Sequence, residues 1–116
     1  NILLNNGIYV FDAESATGKT WLCKQLKKLK AYGEPVDAIT YNDLLTGVRL
    51  ENVVKPQNKV IMLDRYDMYR EAGYELINNC ETTSIVLIDC KSGFNGSRDT
   101  EMCFIDISEN NIEVSV

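Results

Sequence analysis

Two unbroken apolar runs stand out along the chain, Val60-Ile61-Met62-Leu63 and Ile85-Val86-Leu87-Ile88, each closed by an aspartate. A run without polar alternation is the pattern of a strand covered on both faces, as in a parallel sheet. Helical spacing appears elsewhere. Leu22, Leu26 and Leu29 mark the inner face of a helix predicted from about Gly18 to Lys30. Lys24, Lys27, Lys28 and Lys30 lie largely off that face, toward the end where the helix dipole favours cations. Gly33 and Pro35 stop the helix. A second helix is predicted over Asp67–Asn79, with Met68, Tyr69, Ala72, Leu76 and Ile77 facing inward.

Turn residues place the remaining elements. Ile2-Leu3-Leu4 and Ile8-Tyr9-Val10-Phe11 flank Asn5-Asn6-Gly7 and read as a hairpin. Val36–Tyr41 reads as a strand, and Asn42 or Asp43 as the cap of a short helix through Leu45. Thr46–Asn58 is polar and irregular, and Lys91–Thr100 is a loop. Met102–Ile107 and Ile112–Val116 form a closing hairpin around Ser108–Asn111. Strands alternating with helices imply an α/β fold, with a mostly parallel sheet and helices on its faces. Antiparallel hairpin strands are expected at both ends.

Composition narrows the functional classes. At 116 residues the chain suits one domain, 1–116, and no disulfide or metal is needed to hold its core. A net charge of −5 disfavours broad nucleic-acid binding, which needs a basic face. No apolar run approaches the ~20 residues of a membrane helix, and no signal peptide is apparent. A cytoplasmic location without membrane or nucleic-acid partners is the expectation. The four cysteines form no C-x-x-C pair, and histidine is absent. Zinc sites of the usual kind and imidazole catalysis are therefore excluded. The cysteines read as buried free thiols in a reducing compartment.

The segment Ala13-Glu14-Ser15-Ala16-Thr17-Gly18-Lys19-Thr20 joins an apolar strand to an amphipathic helix. Small side chains let backbone amides converge on an anion, and the helix start adds its dipole. Lys19 supplies a compact charge for phosphate, and the Thr20 hydroxyl suits Mg²⁺.

This segment resembles the Walker A loop of P-loop NTPases, matching at Gly18, Lys19 and Thr20 and departing at Ala13, where the pattern has glycine. The resemblance implies a three-layer αβα sandwich. It also implies a nucleotide site built from Ala13, Glu14, Ser15, Ala16, Thr17, Gly18, Lys19, Thr20 and Trp21. Val60–Asp64 resembles the Walker B strand, which assigns Asp64, with Thr20, to Mg²⁺. Asp89, ending the later run, takes a sensing role or the alternative metal role. Arg65 occupies the place where ATPases of this family commonly carry a glutamate, and Asp67 is the candidate substitute. Arg65 or Arg98 is a candidate arginine finger. Lys19, Asp64, Asp67 and Arg98 are thus the catalytic candidates.

ATP binding, favoured over GTP, with weak Mg²⁺-dependent hydrolysis is the leading expectation. A protein partner or a second copy completing the site fits the small size. Ala13 and Arg65 also suit a nucleotide-dependent interaction module without turnover. Asp64-Arg65-Tyr66 resembles the Asp-Arg-Tyr motif of thymidylate kinases, although the Asp64–Ser84 interval is short for their helical insertion. A flavodoxin-like or other α/β binding domain, with the loop incidental, is the non-enzymatic alternative.

Overall fold

Every apolar run read as a strand enters one seven-stranded sheet. The structure, a computed structural model, describes residues 2–11, 18–64, 70–89, 101–108 and 111–116, with the backbone alone described for 70–74, 101–108 and 111–112. The strands are β1 (Ile2–Leu3), β2 (Gly7–Phe11), β3 (Val36–Ile39), β4 (Val60–Leu63), β5 (Ile85–Ile88), β6 (Glu101–Ser108) and β7 (Asn111–Ser115). The helices are α1 (Lys19–Ala31), α2 (Tyr41–Leu45) and α3 (Arg70–Asn79), and Leu50–Asn52 forms a 3₁₀ turn. Across the sheet the order is β1-β7-β6-β2-β5-β4-β3. β6, β2, β5, β4 and β3 are mutually parallel, whereas β7 runs antiparallel to β6 and parallel to β1.

Period-two alternation divides the buried residues into two cores, one on each face of the sheet. Leu22, Cys23 and Leu26 of α1 pack with Tyr9, Phe11, Ala38, Met62 and Leu87. Ile77 of α3 and Leu50, Val53 and Val54 pack with Ile8, Ile39, Ile61, Leu63, Val86 and Ile88. β5, in the middle of the parallel strands, buries Val86, Leu87 and Ile88 completely.

The closing hairpin forms as expected, but the opening hairpin does not. β1 pairs with β7 and β2 with β5 and β6, so two strands separate the intended hairpin partners. The turn residues are used elsewhere. The Asn6 side-chain amide donates to the Thr82 carbonyl (3.1 Å), and the Gly7 amide to that of Ser84 (2.9 Å). These bonds fasten the start of β2 to the connection before β5.

Other boundaries also shift. β3 ends at Ile39, and Thr40, rather than Asn42 or Asp43, caps α2. The Thr40 hydroxyl accepts from the Asp43 amide, while the Asp43 carboxylate accepts from the Thr40 amide, a reciprocal capping box. The Thr46–Asn58 stretch is less polar in effect than it reads, because Leu50, Val53 and Val54 are buried. Leu29 is exposed, and Cys23 takes the inward position beside Leu22 and Leu26. Of the inner face expected for the second helix, Ile77 is fully buried and Leu76 partly so. That helix is described from Arg70, which leaves Asp67, Met68 and Tyr69 outside the described residues.

Candidate functional site

Chain direction singles out one place on the sheet edge. From β2 the chain passes through α1 to β3 on one side, whereas from β5 it returns to β6 on the other side of β2. Because β2 and β5 are neighbours, adjacent strand ends send the chain in opposite directions. The crevice outside the carboxyl ends at such a reversal is where open α/β sheets bind ligands.

Parallel register levels the strand ends. Ile39 pairs with Leu63, Leu63 with Ile88, and Val10 with Ile88. One residue further along, Thr40, Asp64, Asp89 and Phe11 stand side by side across the edge, with Asp64 and Asp89 one strand spacing apart, ~4.8 Å. Alternation puts both aspartates on the face of Met62 and Leu87, the face that α1 covers. The backbone ladder persists to this level. The Asp64 amide donates to the Ile39 carbonyl and the Asp89 amide to that of Leu63, both at 2.9 Å.

Lys19 opens α1 above these strand ends. Only 8% of it is exposed. Its Nζ lies 3.0 Å from Oδ1 of Asp89 and 5.9 Å from the centre of the Phe11 ring. A buried ammonium needs a counter-charge, and the carboxylate and the ring face both provide negative potential. Gly18, the N-cap, makes no side-chain capping bond, and the first turn of α1 contains no acid. Its amides and dipole therefore add positive potential where Lys19 already concentrates it.

No family model, curated protein or solved structure matches this chain. The roles of the site residues therefore rest on geometry.

Asp64 is placed at this edge by the register of β4 with β3 and β5. Burial pushes the Cys23 thiol up to about 11, Lys27 pulls it back, and the carboxylates of Asp64, Asp43 and Asp37 add to the rise. Among the described residues no three His, Cys, Asp or Glu side chains converge as a metal cage. Mg²⁺ needs fewer protein ligands when it arrives with phosphates, one or two carboxylates sufficing. Asp64 and Asp89 end neighbouring strands at this edge, Asp89 paired with Lys19, and Thr20 is exposed at the helix start.

Of the expected site residues, the structure gathers Gly18, Lys19, Thr20 and Asp64 at one edge. Ala13, Glu14, Ser15, Ala16, Thr17, Arg65, Asp67 and Arg98 lie outside the described residues. Trp21 is half exposed and lines an apolar groove of about 420 Å³ along α1, with Ile2, Leu22, Leu29, Val60 and Val114. Asp89 as the direct partner of Lys19 was not anticipated from sequence. Its signal was present, because the runs before Asp64 and Asp89 match residue for residue in character.

The opposite edge of the sheet buries a neutral hydrogen-bond chain. There Ser84 is fully buried, with its hydroxyl donating to the Asn58 carbonyl (2.6 Å), and the Asn58 amide side chain donates to the Val53 carbonyl (2.9 Å). Among the described residues no helix is long and apolar enough to cross a membrane.

Proposed function

We propose that the chain binds a nucleoside triphosphate, ATP in preference to GTP, at the carboxyl edge between β2 and β5, and hydrolyses it weakly with Mg²⁺. The observation that carries this reading is the buried Lys19 ammonium at the start of α1, held at the strand reversal beside Asp89. A lysine is costly to bury, and this one sits where backbone amides and a helix dipole already favour an anion. The strand order supports a P-loop NTPase-like three-layer sandwich. The strand ending in Asp89 lies between the one leading into Lys19 and the one ending in Asp64. That is the placement expected if Asp89 ends a sensor strand and Asp64 a Walker B strand.

In this reading Lys19 holds the β and γ phosphates, and Thr20 and Asp64 hold Mg²⁺, which offsets phosphate charge. Arg65 in place of the usual glutamate makes turnover slow. A partner, or a second copy, supplying a further charge would raise it.

The test is ATP affinity in the presence of Mg²⁺ for wild type and Lys19→Ala. Trp21, the only tryptophan, lies two positions from Lys19 and provides a fluorescence readout. Loss of charge-assisted bonds to phosphate is expected to cost about 1.5–3 kcal/mol, roughly 10- to 150-fold in affinity. Equal affinity in both proteins would remove the case for nucleotide binding.

A further inference from the structure

We propose that the apolar groove along α1 is a docking site for an acidic amphipathic helix of a partner protein, whose apolar side chains seat between Trp21 and Leu29 and whose carboxylates meet Lys24 and Lys28. Docking there needs no nucleotide at the strand reversal.

Residues four and eight apart on a helix fall on nearly one stripe. On α1 that stripe is Trp21, Gln25 and Leu29, continued by the C-cap Tyr32. Its three large apolar members are 51%, 44% and 77% exposed. Leu22 and Leu26, turned further inward, are buried against the sheet. Single exposed apolar residues are ordinary, but Trp21 and Leu29 border a cavity of about 420 Å³ whose lining is apolar apart from Gln25. At the helical rise, Trp21 to Leu29 spans ~12 Å, close to the length between the first and last anchors of a docking helix, i and i+7.

Charge selects the occupant. α1 carries five lysines and no acid. Lys19, Lys27 and Lys30 pair with Asp89, Asp43 and Asp37. Lys24 and Lys28 are exposed and make no ion pair among the described residues. They lie one turn apart, just beyond Trp21 around the helix, and so rim the groove on its solvent side. Like charges at that spacing weaken a helix, and two carboxylates one turn apart on a partner helix relieve both. A second copy docked on this face about a two-fold axis would bring its own Lys24 and Lys28 and restore the repulsion. An anionic membrane would meet the whole chain's net charge of −5. A fatty acid offers one carboxylate for two lysines. An acidic amphipathic helix matches the apolar stripe and the basic stripe together.

The probe is a fluorescein-labelled designed helix with leucines at i, i+3, i+4 and i+7 flanked by glutamates. Its control carries lysine at every glutamate position, and both are titrated with the full chain in fluorescence anisotropy. The acidic peptide is expected to bind in the micromolar range and the basic one roughly tenfold or more weakly, the scale of two reversed rim pairs. The double variant Lys24→Glu/Lys28→Glu should invert that order, a change that an indiscriminately sticky apolar surface would not produce. Trp21→Ala and Leu29→Ala should each weaken the acidic peptide about tenfold, as truncation of a central apolar anchor does. Equal binding of the two peptides, or an order that charge reversal leaves unchanged, would overturn the proposal. Co-sedimentation with phosphatidylglycerol vesicles without binding of the acidic peptide would also overturn it, and would assign the stripe to a membrane surface.

A measurement on wild type alone covers the case in which the variants fail to fold. Trp21, the only tryptophan, should shift its emission to the blue with the acidic peptide and not with the basic one. Emission unchanged at saturating acidic peptide would overturn docking in this groove.

Discussion

The chemistry of Cys23 is altered by its location in the fold. It is 4% exposed, and burial pushes its thiol from 9.0 up to about 11, with Lys27 opposing and nearby carboxylates reinforcing the rise. The fold therefore favours the neutral thiol. That stabilisation is complete below pH 9.0, where the thiol is protonated in both states. It is lost as the pH climbs from 9 toward 11, because the unfolded chain ionises first. Urea midpoints of wild type and Cys23→Ala should diverge less at pH 10.5 than at pH 8, and parallel pH profiles would contradict this. Cys80 is also buried, and its thiol is likewise raised by burial, with Ser84 opposing. Peptide-resolved alkylation of the native chain should leave the Cys23 and Cys80 peptides unmodified until denaturant is added.

At the scale of elements, helix ends show how local rules set boundaries. α1 ends in a motif whose left-handed residue is Gly33, at φ 92°. The Gly33 amide donates to the Lys30 carbonyl and the Glu34 amide to that of Leu29, closing both bonds of a Schellman cap. A side chain at that φ is strained even though nothing crowds the position. Gly33→Ala should cost about 1 kcal/mol in chemical denaturation, and no loss would argue against the cap. α2 depends on Asp43, which serves the capping box and also pairs with Lys27 of α1. Burial works against its charge, but the bonds from Lys27 and Thr40 outweigh it and hold the carboxyl below the usual range. This contribution is present above the ordinary carboxylate pKa of 3.8 and fades as the pH falls through the lowered value. Asp43→Ala should cost about 1–2 kcal/mol at neutral pH and progressively less in acid.

Gly33 and the unbroken runs of β4 and β5 were legible in sequence because one residue or one short pattern suffices to specify them. The Thr40–Asp43 cap was missed because Val36–Tyr41 continues to look like a strand until the reciprocal bonds are seen. The opening hairpin was misread for a related reason. Asn5-Asn6-Gly7 satisfies a local turn rule, yet long-range bonds from Asn6 and Gly7 to Thr82 and Ser84 take precedence. Local signals fix elements well, but pairing between distant strands needs the sheet itself.

For the whole molecule, strand order brings together what the sequence spreads apart. Lys19 and Asp89 are 70 positions apart, and only the insertion of β5 between β2 and β4 makes them partners. The chemical types at the site were readable one at a time, whereas the Lys19–Asp89 pair was not, because pairing is a property of topology. The same topology ties ligand binding to global stability. The proposed anion site joins the start of α1 to the ends of β2, β4 and β5, so unfolding the sheet destroys it and the unfolded chain has no equivalent. A ligand that binds only the folded state stabilises it by RT ln(1 + [L]/Kd), about 2.7 kcal/mol at one hundred times Kd. For a chain of this size that corresponds to a rise in Tm of roughly 10 °C. Mg²⁺–ATP should produce such a rise in wild type, and Lys19→Ala should lose most of it at the same nucleotide concentration. A rise of equal size in Lys19→Ala would mean that nucleotide binds elsewhere on the molecule, because its effect on stability would then be independent of the buried Lys19 ammonium at the strand reversal.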